Sequence, residues 1–310
     1  MNDTKLQQYA NGGAVADGKL ARALQARLAR ALLFPVVSAR RQWLRRQREK
    51  RRAVLQPLLN RLVDDPVLDL PEFKGQFAIG VHSDLFKRWI LDDSYEAGEA
   101  RICSDLVNPE RDAIDVGANV GFFTVLLSQL VNTEHRVLAI EPTDRALHRL
   151  RANIVRNDVL KKVLLFEGVA SSESGTTAIN VIKGKEEYSS VGKIVHPSVE
   201  GMAHTETVVE SSTLDALTAR FQLDPGFVKV DAEGWEKAVF EGARGMLRDQ
   251  RPIVLSELDD QLLRQNGSSF GDVVDFFNDL EYAVLDPSTR TKWGARRPVG
   301  TVLVVPKESI

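Results

Sequence analysis

Four carboxylates, Asp115, Glu141, Asp231 and Glu257, stand at or just beyond successive short apolar runs. The first opens the stretch Asp115-Val-Gly-Ala-Asn-Val-Gly121, and an apolar run from Phe122 to Leu130 follows it. Gly117, Asn119 and Gly121 are turn formers. Glycine admits positive φ and leaves room for a ligand where a Cβ would stand, and the helix beyond offers unpaired N–H groups. The spacing Asp-x-Gly-x-Asn-x-Gly departs from the Gly-x-Gly-x-x-Gly dinucleotide fingerprint. A pyrophosphate would meet an anion at Asp115. A ligand with a cationic amino group suits this loop better, such as the methionyl part of S-adenosylmethionine. The competing reading is a βα turn that binds nothing.

Glu141 follows the next apolar run, where a nucleotide fold uses an acid to hold two ribose hydroxyls; capping the following helix is its plainer role. The third group is denser: Asp231-Ala-Glu233-Gly-Trp-Glu236. Like charges so close disfavour joint ionisation and raise a pKa, which makes a carboxylate a useful base near neutral pH. Asp231 is the expected acceptor of a proton from a hydroxyl attacking a methyl sulfonium. Glu233 could share that role, hold a sugar hydroxyl or co-ligate a divalent ion; a charge at a helix N-terminus is the bland account of Glu233 and of Glu236. Displacement at a cationic methyl needs mainly in-line placement of the reacting atoms. His196 and His204 are candidates to reach the same crevice. No His-x-x-His or His/Asp pattern has metal spacing, so no metal site is assigned.

These residues need a scaffold of alternating elements, and the hydrophobic pattern predicts one. Strands are expected at Ala113–Val116, Arg136–Ile140, Val163–Phe166, Phe227–Val230, Ile253–Leu255, Tyr282–Leu285 and Thr301–Val305. Helices are expected at Asp144–Asn157, Glu236–Leu247 and Phe270–Leu280. Upstream, Gln76–Val81 reads as a strand and Leu85–Leu91 as a partly apolar stretch. The acids at the strand ends would then face one crevice. Some sixty residues, 167–226, separate the third and fourth strands, where one helix needs about twenty. The surplus, 171–226, is polar, with β signals at Ala178–Ile182 and Thr207–Glu210, and is expected to face the substrate.

The chain has 310 residues and a net charge of −2. That charge is uneven: from Lys19 to Arg61 thirteen Lys or Arg oppose Glu49 alone, a local balance of +12, so the remainder carries −14. Residues 1–18 read as a disordered start, 19–63 as a basic amphipathic helical arm and 64–310 as the catalytic domain. The arm has three readings: a solvated or packing helix, peripheral contact with the inner face of an anionic membrane, or nucleic-acid contact. A lone Cys103 makes no internal disulfide. With neither a signal-like start nor an apolar run of membrane-spanning length, a cytoplasmic protein is expected.

Asp115-Val-Gly-Ala-Asn-Val-Gly-Phe-Phe-Thr124, Ala139-Ile-Glu-Pro142, Phe227-Val-Lys-Val-Asp-Ala-Glu-Gly-Trp-Glu236, Phe240-Glu-Gly-Ala243 and Pro252-Ile-Val-Leu-Ser-Glu257 together resemble the FkbM-type methyltransferases. Tyr95-Glu96 and Val169-Ala-Ser171 fit as well, and the resemblance covers roughly residues 73–305. It implies a class I S-adenosylmethionine fold, a Rossmann-like α/β sheet of seven strands with one antiparallel. It also implies O-methylation of a small-molecule or glycan hydroxyl. By that resemblance Asp115, Gly117, Asn119 and Gly121 contact the methionyl part and Glu141 the ribose. Val169 and Ala170 lie beside adenine, and Asp231 and Glu233 face the acceptor. Tyr95, Glu96, Trp235 and Glu257 are further substrate-side candidates. Ala232 and Trp235 depart from the family's aliphatic and small residues, so Trp235 either shapes the acceptor pocket or packs. Two rivals stand beside this reading. One is a nucleic-acid methyltransferase guided by the arm, which the acids around Asp231 would disfavour by repelling phosphate. The other is a non-catalytic adenosylmethionine-binding protein.

Overall fold

The computed structural model describes residues 65–80, 83, 85–86, 95–182, 189–191, 201–293 and 299–310, with seven positions between 43 and 54. The chain divides into two units, Met1–Arg61 and Leu62–Ile310. The described positions of the first unit are helical, and Trp43 is exposed among them. The start 1–18, most of the basic arm, His196 and most of Leu85–Leu91 lie outside the described residues.

The second unit begins with a hairpin of β1 (Val67–Leu70) and β2 (Gly75–Ala78). It continues through helix α1 (Ala97–Leu106), β3 (Asp112–Val116), α2 (Phe122–Leu130), β4 (Val137–Ile140), α3 (Asp144–Arg156) and β5 (Val163–Phe166). Next come β6 (Gly168–Ala170), β7 (Gly175–Val181), β8 (Ser190–Val191), β9 (Thr205–Ser212) and α4 (Leu214–Phe221). The chain then runs through β10 (Pro225–Val230), α5 (Glu236–Glu241), α6 (Arg244–Asp249), β11 (Ile253–Asp259) and α7 (Asp260–Gln265). Helix α8 (Phe270–Asp279), β12 (Tyr282–Leu285) and β13 (Val299–Pro306) close it.

Seven strands form one sheet in the order β12-β13-β11-β10-β3-β4-β5. β13 pairs antiparallel with both its neighbours, and the other pairings are parallel. The central strands β3, β4 and β10 are buried along their whole length, as a parallel sheet covered on both faces requires. Ile114, Leu138, Val228 and Val254 from the sheet pack with Leu217, Phe240, Phe277 and Tyr282 in one core. The expected fold class, seven strands with one antiparallel, is the one present.

The β signals read in the surplus before the fourth strand fall on β7 and β9, which with β8 join β6 in a second sheet, ordered β6-β9-β7-β8. One expectation needs revision: the helix read over Glu236–Leu247 is two helices, α5 and α6. Asp215, at the start of α4, causes the break. Its Oδ2 accepts the N–H of Gly245 at 2.8 Å and its Oδ1 that of Met246 at 2.7 Å, capping α6 from a distance. At Gly242 a Cβ would overlap the carbonyl oxygen of Ser171. The split thus seats this corner against the strand that carries Val169 and Ala170.

Candidate functional site

The loop after β3 is built by its backbone. Gly117 and Ala118 both donate to the carbonyl of Ile140 at 3.0 Å, tying the loop to the end of β4. Gly117 has φ +76, and a Cβ there would overlap the Asp231 carbonyl oxygen, so a glycine is required where the ends of β3 and β10 meet. Asn119 has φ 49, a left-handed conformation that asparagine tolerates better than most residues. Gly121, at φ +95, precedes α2 and lies against Leu150.

A cleft opens across these strand ends. Its floor is Gly117, Asn119, Glu141 and Thr143; Asp231, Glu233 and Trp235 close one end, and Val169, Ala170, Ile179 and Val191 form an apolar wall. Ile179 and Val191 belong to the second sheet, so the polar insertion builds part of the cleft. Glu141 sits nearly buried at the cleft floor. Its Oε2 accepts the Asn119 N–H at 2.9 Å, and its Oε1 accepts the Thr143 N–H at 2.9 Å and hydroxyl at 2.6 Å. Burial raises its pKa, and those three donors oppose the shift. Oε1 thus accepts two hydrogen bonds and Oε2 one, which leaves Oε2 with capacity for a further donor, since a carboxylate accepts about four hydrogen bonds.

Asp115, expected against the methionyl part, is the deepest of the four strand-end carboxylates. It is 0 % exposed and is absent from the cleft wall. Its Oδ2 accepts the Thr124 hydroxyl at 2.6 Å, while Oδ1 is buried with no hydrogen-bond partner. Burial raises its pKa, and the nearby ammonium of Lys229 is the largest opposing influence. Gly121 likewise shapes the loop without lining the cleft. Gly117, Asn119, Glu141, Val169, Ala170, Asp231, Glu233 and Trp235 all do line it. The Glu141 carboxylate on the floor and the apolar wall at Val169, Ala170, Ile179 and Val191 are an acceptor and a surface of the kind that S-adenosylmethionine needs.

Beyond Asp231 lies a second convergence. Single carboxylate oxygens of Glu96, Asp231 and Glu257 come within 4.8 Å of one another. Glu96, at φ 44, caps the start of α1, Asp231 follows β10, and Glu257 lies on β11. Tyr95 beside them stacks edge-on to Phe122, their centroids 5.6 Å apart, and hydrogen-bonds to Glu96. Glu233 is not part of this group. A cation of the chain's own is already there. Lys229, 7 % exposed, places its Nζ 3.2 Å from Asp231 Oδ2 and 4.5 Å above the Phe123 ring. Burial pulls its pKa down, but Asp231, Glu96 and Asp115 together outweigh burial and leave it raised. Burial also raises Glu96, and burial with the charges of Asp231 and Glu96 pushes Glu257 up to about 7.

Sequence reasoning overlooked Lys229. The signal was present: a single charge inside the apolar strand Phe227-Val-Lys-Val230, where a buried ammonium demands a partner. In the sheet it stands level with Asp115 on β3. Glu236 stands in the first turn of α5, as the bland reading held, but its bonds go to the loop ahead of the helix. Its Oε1 accepts the N–H groups of Ala232 at 3.0 Å and Gly234 at 3.1 Å, closing the loop after β10. Trp235 both lines the cleft and packs: its indole N–H donates to Ser171 Oγ at 3.3 Å, and it touches the cores of both sheets. His204 is exposed and outside the cleft wall.

A model of the methyltransferase FkbM domain matches residues 115–284. Among solved structures the chain is similar to the methyltransferase FkbM of Methylobacillus flagellatus KT, at 16% identity and a TM-score of 0.43, over 81% of this chain and 57% of that one. It thus spans just over half of that protein's length. It is also similar to precorrin-6y C5,15-methyltransferase of Geobacter metallireducens GS-15, at 14% identity and a TM-score of 0.38, over 68% of this chain and 87% of that one. A third is a Streptococcus mutans protein solved in complex with SAH, at 13% identity and a TM-score of 0.37, over 66% of this chain and 93% of that one. No curated protein matches the chain in sequence. With more than half of its residues matched by that domain, from the loop at Asp115 to the strand at Val284, the chain belongs to the FkbM family of S-adenosylmethionine-dependent methyltransferases.

Proposed function

We propose that the chain is an O-methyltransferase that moves the methyl group of S-adenosylmethionine to a hydroxyl of a glycan or other small hydroxylated metabolite. The observation that carries this is the placement of two unlike regions side by side at Asp231: the cleft, and a convergence of carboxylates beyond it. S-adenosylmethionine supplies an electrophilic methyl on a sulfonium. Glu141 would hold its ribose, the apolar wall at Val169, Ala170, Ile179 and Val191 its adenine, and the loop at Gly117 and Asn119 its methionyl part.

Past Asp231 the acids suit a hydroxylated acceptor. Carboxylates accept hydrogen bonds from several hydroxyls at once, and one of them can receive the proton as the oxygen is methylated. The same acids repel a phosphate backbone, which argues for a glycan or metabolite over nucleic acid. Calorimetry with S-adenosylmethionine and its demethylated product tests the cofactor half. A screen of glycans and hydroxylated metabolites with labelled methyl donor tests the rest. Absence of heat in the first sinks the whole reading; label on nitrogen or carbon sinks the hydroxyl.

A further inference from the structure

Three carboxylates border the space beyond the cofactor cleft, and their surroundings differ. Asp231 is committed: its Oδ2 holds the Lys229 ammonium at 3.2 Å. Glu96 is half-buried, sits on strained left-handed backbone and is hydrogen-bonded by Tyr95. Glu257 is the most exposed of the three in surface, although its carboxyl lies deep enough among its neighbours for burial to raise it, and among the described residues no hydrogen bond or ion pair engages its carboxylate. It stands beyond Leu255, which is level with Lys229 on the neighbouring strand. The two-residue strand period puts Glu257 on the same sheet face as Lys229. A proton acceptor has to reach the substrate and must not be held by a competing cation. Of the three, Glu257 is the most exposed, and among the described residues its carboxylate carries no ion pair.

We infer that Glu257 is the catalytic residue that takes the proton from the acceptor hydroxyl, and that Lys229 is a positioning residue holding Asp231 beside it. The assignment rests on the O-methylation reading. As the hydroxyl oxygen bonds to the methyl carbon, its O–H bond breaks and the proton passes to the Glu257 carboxylate. The S–CH3 bond breaks with its electron pair left on sulfur, giving a neutral thioether, and the proton then leaves Glu257 to water. The groups facing Glu257 are Asp231, Glu96 and Glu99, which push its carboxyl up, and Lys229, which draws it down. A value of about 7 is suited to a base working near neutral pH.

The test uses the full chain with Glu257→Gln, Asp231→Asn, Lys229→Met and Lys229→Arg. Glu257→Gln should lower kcat by about a hundredfold or more and remove the rise of kcat through pH 7, with affinity for the demethylated cofactor unchanged. Lys229→Met should move that rise to higher pH, because it removes the one cation near Glu257 among the described residues, and Lys229→Arg should move it back. A merely structural lysine would leave the profile in place. Carbon-13 titration of glutamate carboxyls in the complex with demethylated cofactor reads the same group without turnover. One signal near pH 7 should vanish in Glu257→Gln, while that of Glu236 in the same range remains. The inference is overturned if Glu257→Gln keeps both rate and pH rise, if Asp231→Asn abolishes the rise instead, or if the Glu257 carboxyl titrates in the ordinary range. A wild-type chain that binds the cofactor yet methylates no hydroxyl fails earlier, at the function itself.

Discussion

At the scale of single residues, two positions combine a structural duty with a measurable cost. Gly117 carries φ +76 with the Asp231 carbonyl where a Cβ would go. Gly117→Ala is expected to cost about 1–3 kcal/mol for the backbone conformation alone. It should also weaken cofactor binding, because relieving the overlap separates the ends of β3 and β10. Chemical denaturation and calorimetry check the two parts, and an unchanged variant would show that the close approach is dispensable. Glu236 is 2 % exposed with a pKa pushed by burial to about 7, and its Oε2 has no partner. An unfolded glutamate loses its proton near 4.5, so between about pH 4.5 and 7 the folded chain holds the extra proton. This group's contribution to stability therefore falls as pH rises through that window, by up to about 3 kcal/mol. Glu236→Gln keeps the acceptor for Ala232 and Gly234 and removes the titration. Its melting temperature relative to the parent should rise from pH 5 to pH 8, and a constant difference would refute the assignment.

Elements meet at corners where a single atom decides the packing. The break between α5 and α6 lies at such a corner, with Gly242 against the Ser171 carbonyl and Asp215 capping α6. Gly242→Ala should destabilise the chain by about 1–3 kcal/mol through overpacking. Gly271, early in α8, is a control in the opposite direction: a Cβ there meets only Ser269 Oγ at 3.5 Å. Gly271→Ala should be neutral or stabilise by up to about 1 kcal/mol, since alanine has the better helix propensity. Urea denaturation of both variants is decisive; similar losses would mean that the corner is not the cause. A second corner joins the hairpin to α3. Asn153 and Asn157 use their side-chain amides to pair with the backbone of Ala78 and Gln76, which closes the open edge of β2.

For the whole molecule, every residue lining the cleft lies in the unit Leu62–Ile310. A chain lacking residues 1–61 should therefore bind the demethylated cofactor with the affinity of the full chain, as read by calorimetry; loss of binding would assign the arm a part in the site. No described helix is long and apolar enough to cross a membrane. The balance of +12 over Lys19–Arg61 is the basis for proposing peripheral contact with an anionic membrane surface. Flotation with anionic vesicles should carry the full chain and not the truncated one, and the effect should fade with salt. Equal partitioning of the two would reject the contact.

Much of the scaffold was readable because it is local. Strand and helix follow from apolar spacing, and the loop at Asp115 from residues that tolerate left-handed backbone, so the elements and the cleft floor at Gly117, Asn119 and Glu141 could be anticipated, while seven strands with one antiparallel came from the family resemblance. What the fold alone decided are meetings between distant segments. Glu96 comes from a helix far upstream to stand beside Asp231 and Glu257; Lys229 supplies their cation; Asp115 ends beneath the loop and not in the cleft. The insertion folds into a second sheet that walls one side of the cleft. Charge and type are written in the chain, but the sign and size of an electrostatic effect depend on separation and burial. Those are set only when strands far apart in sequence take their places in the sheet.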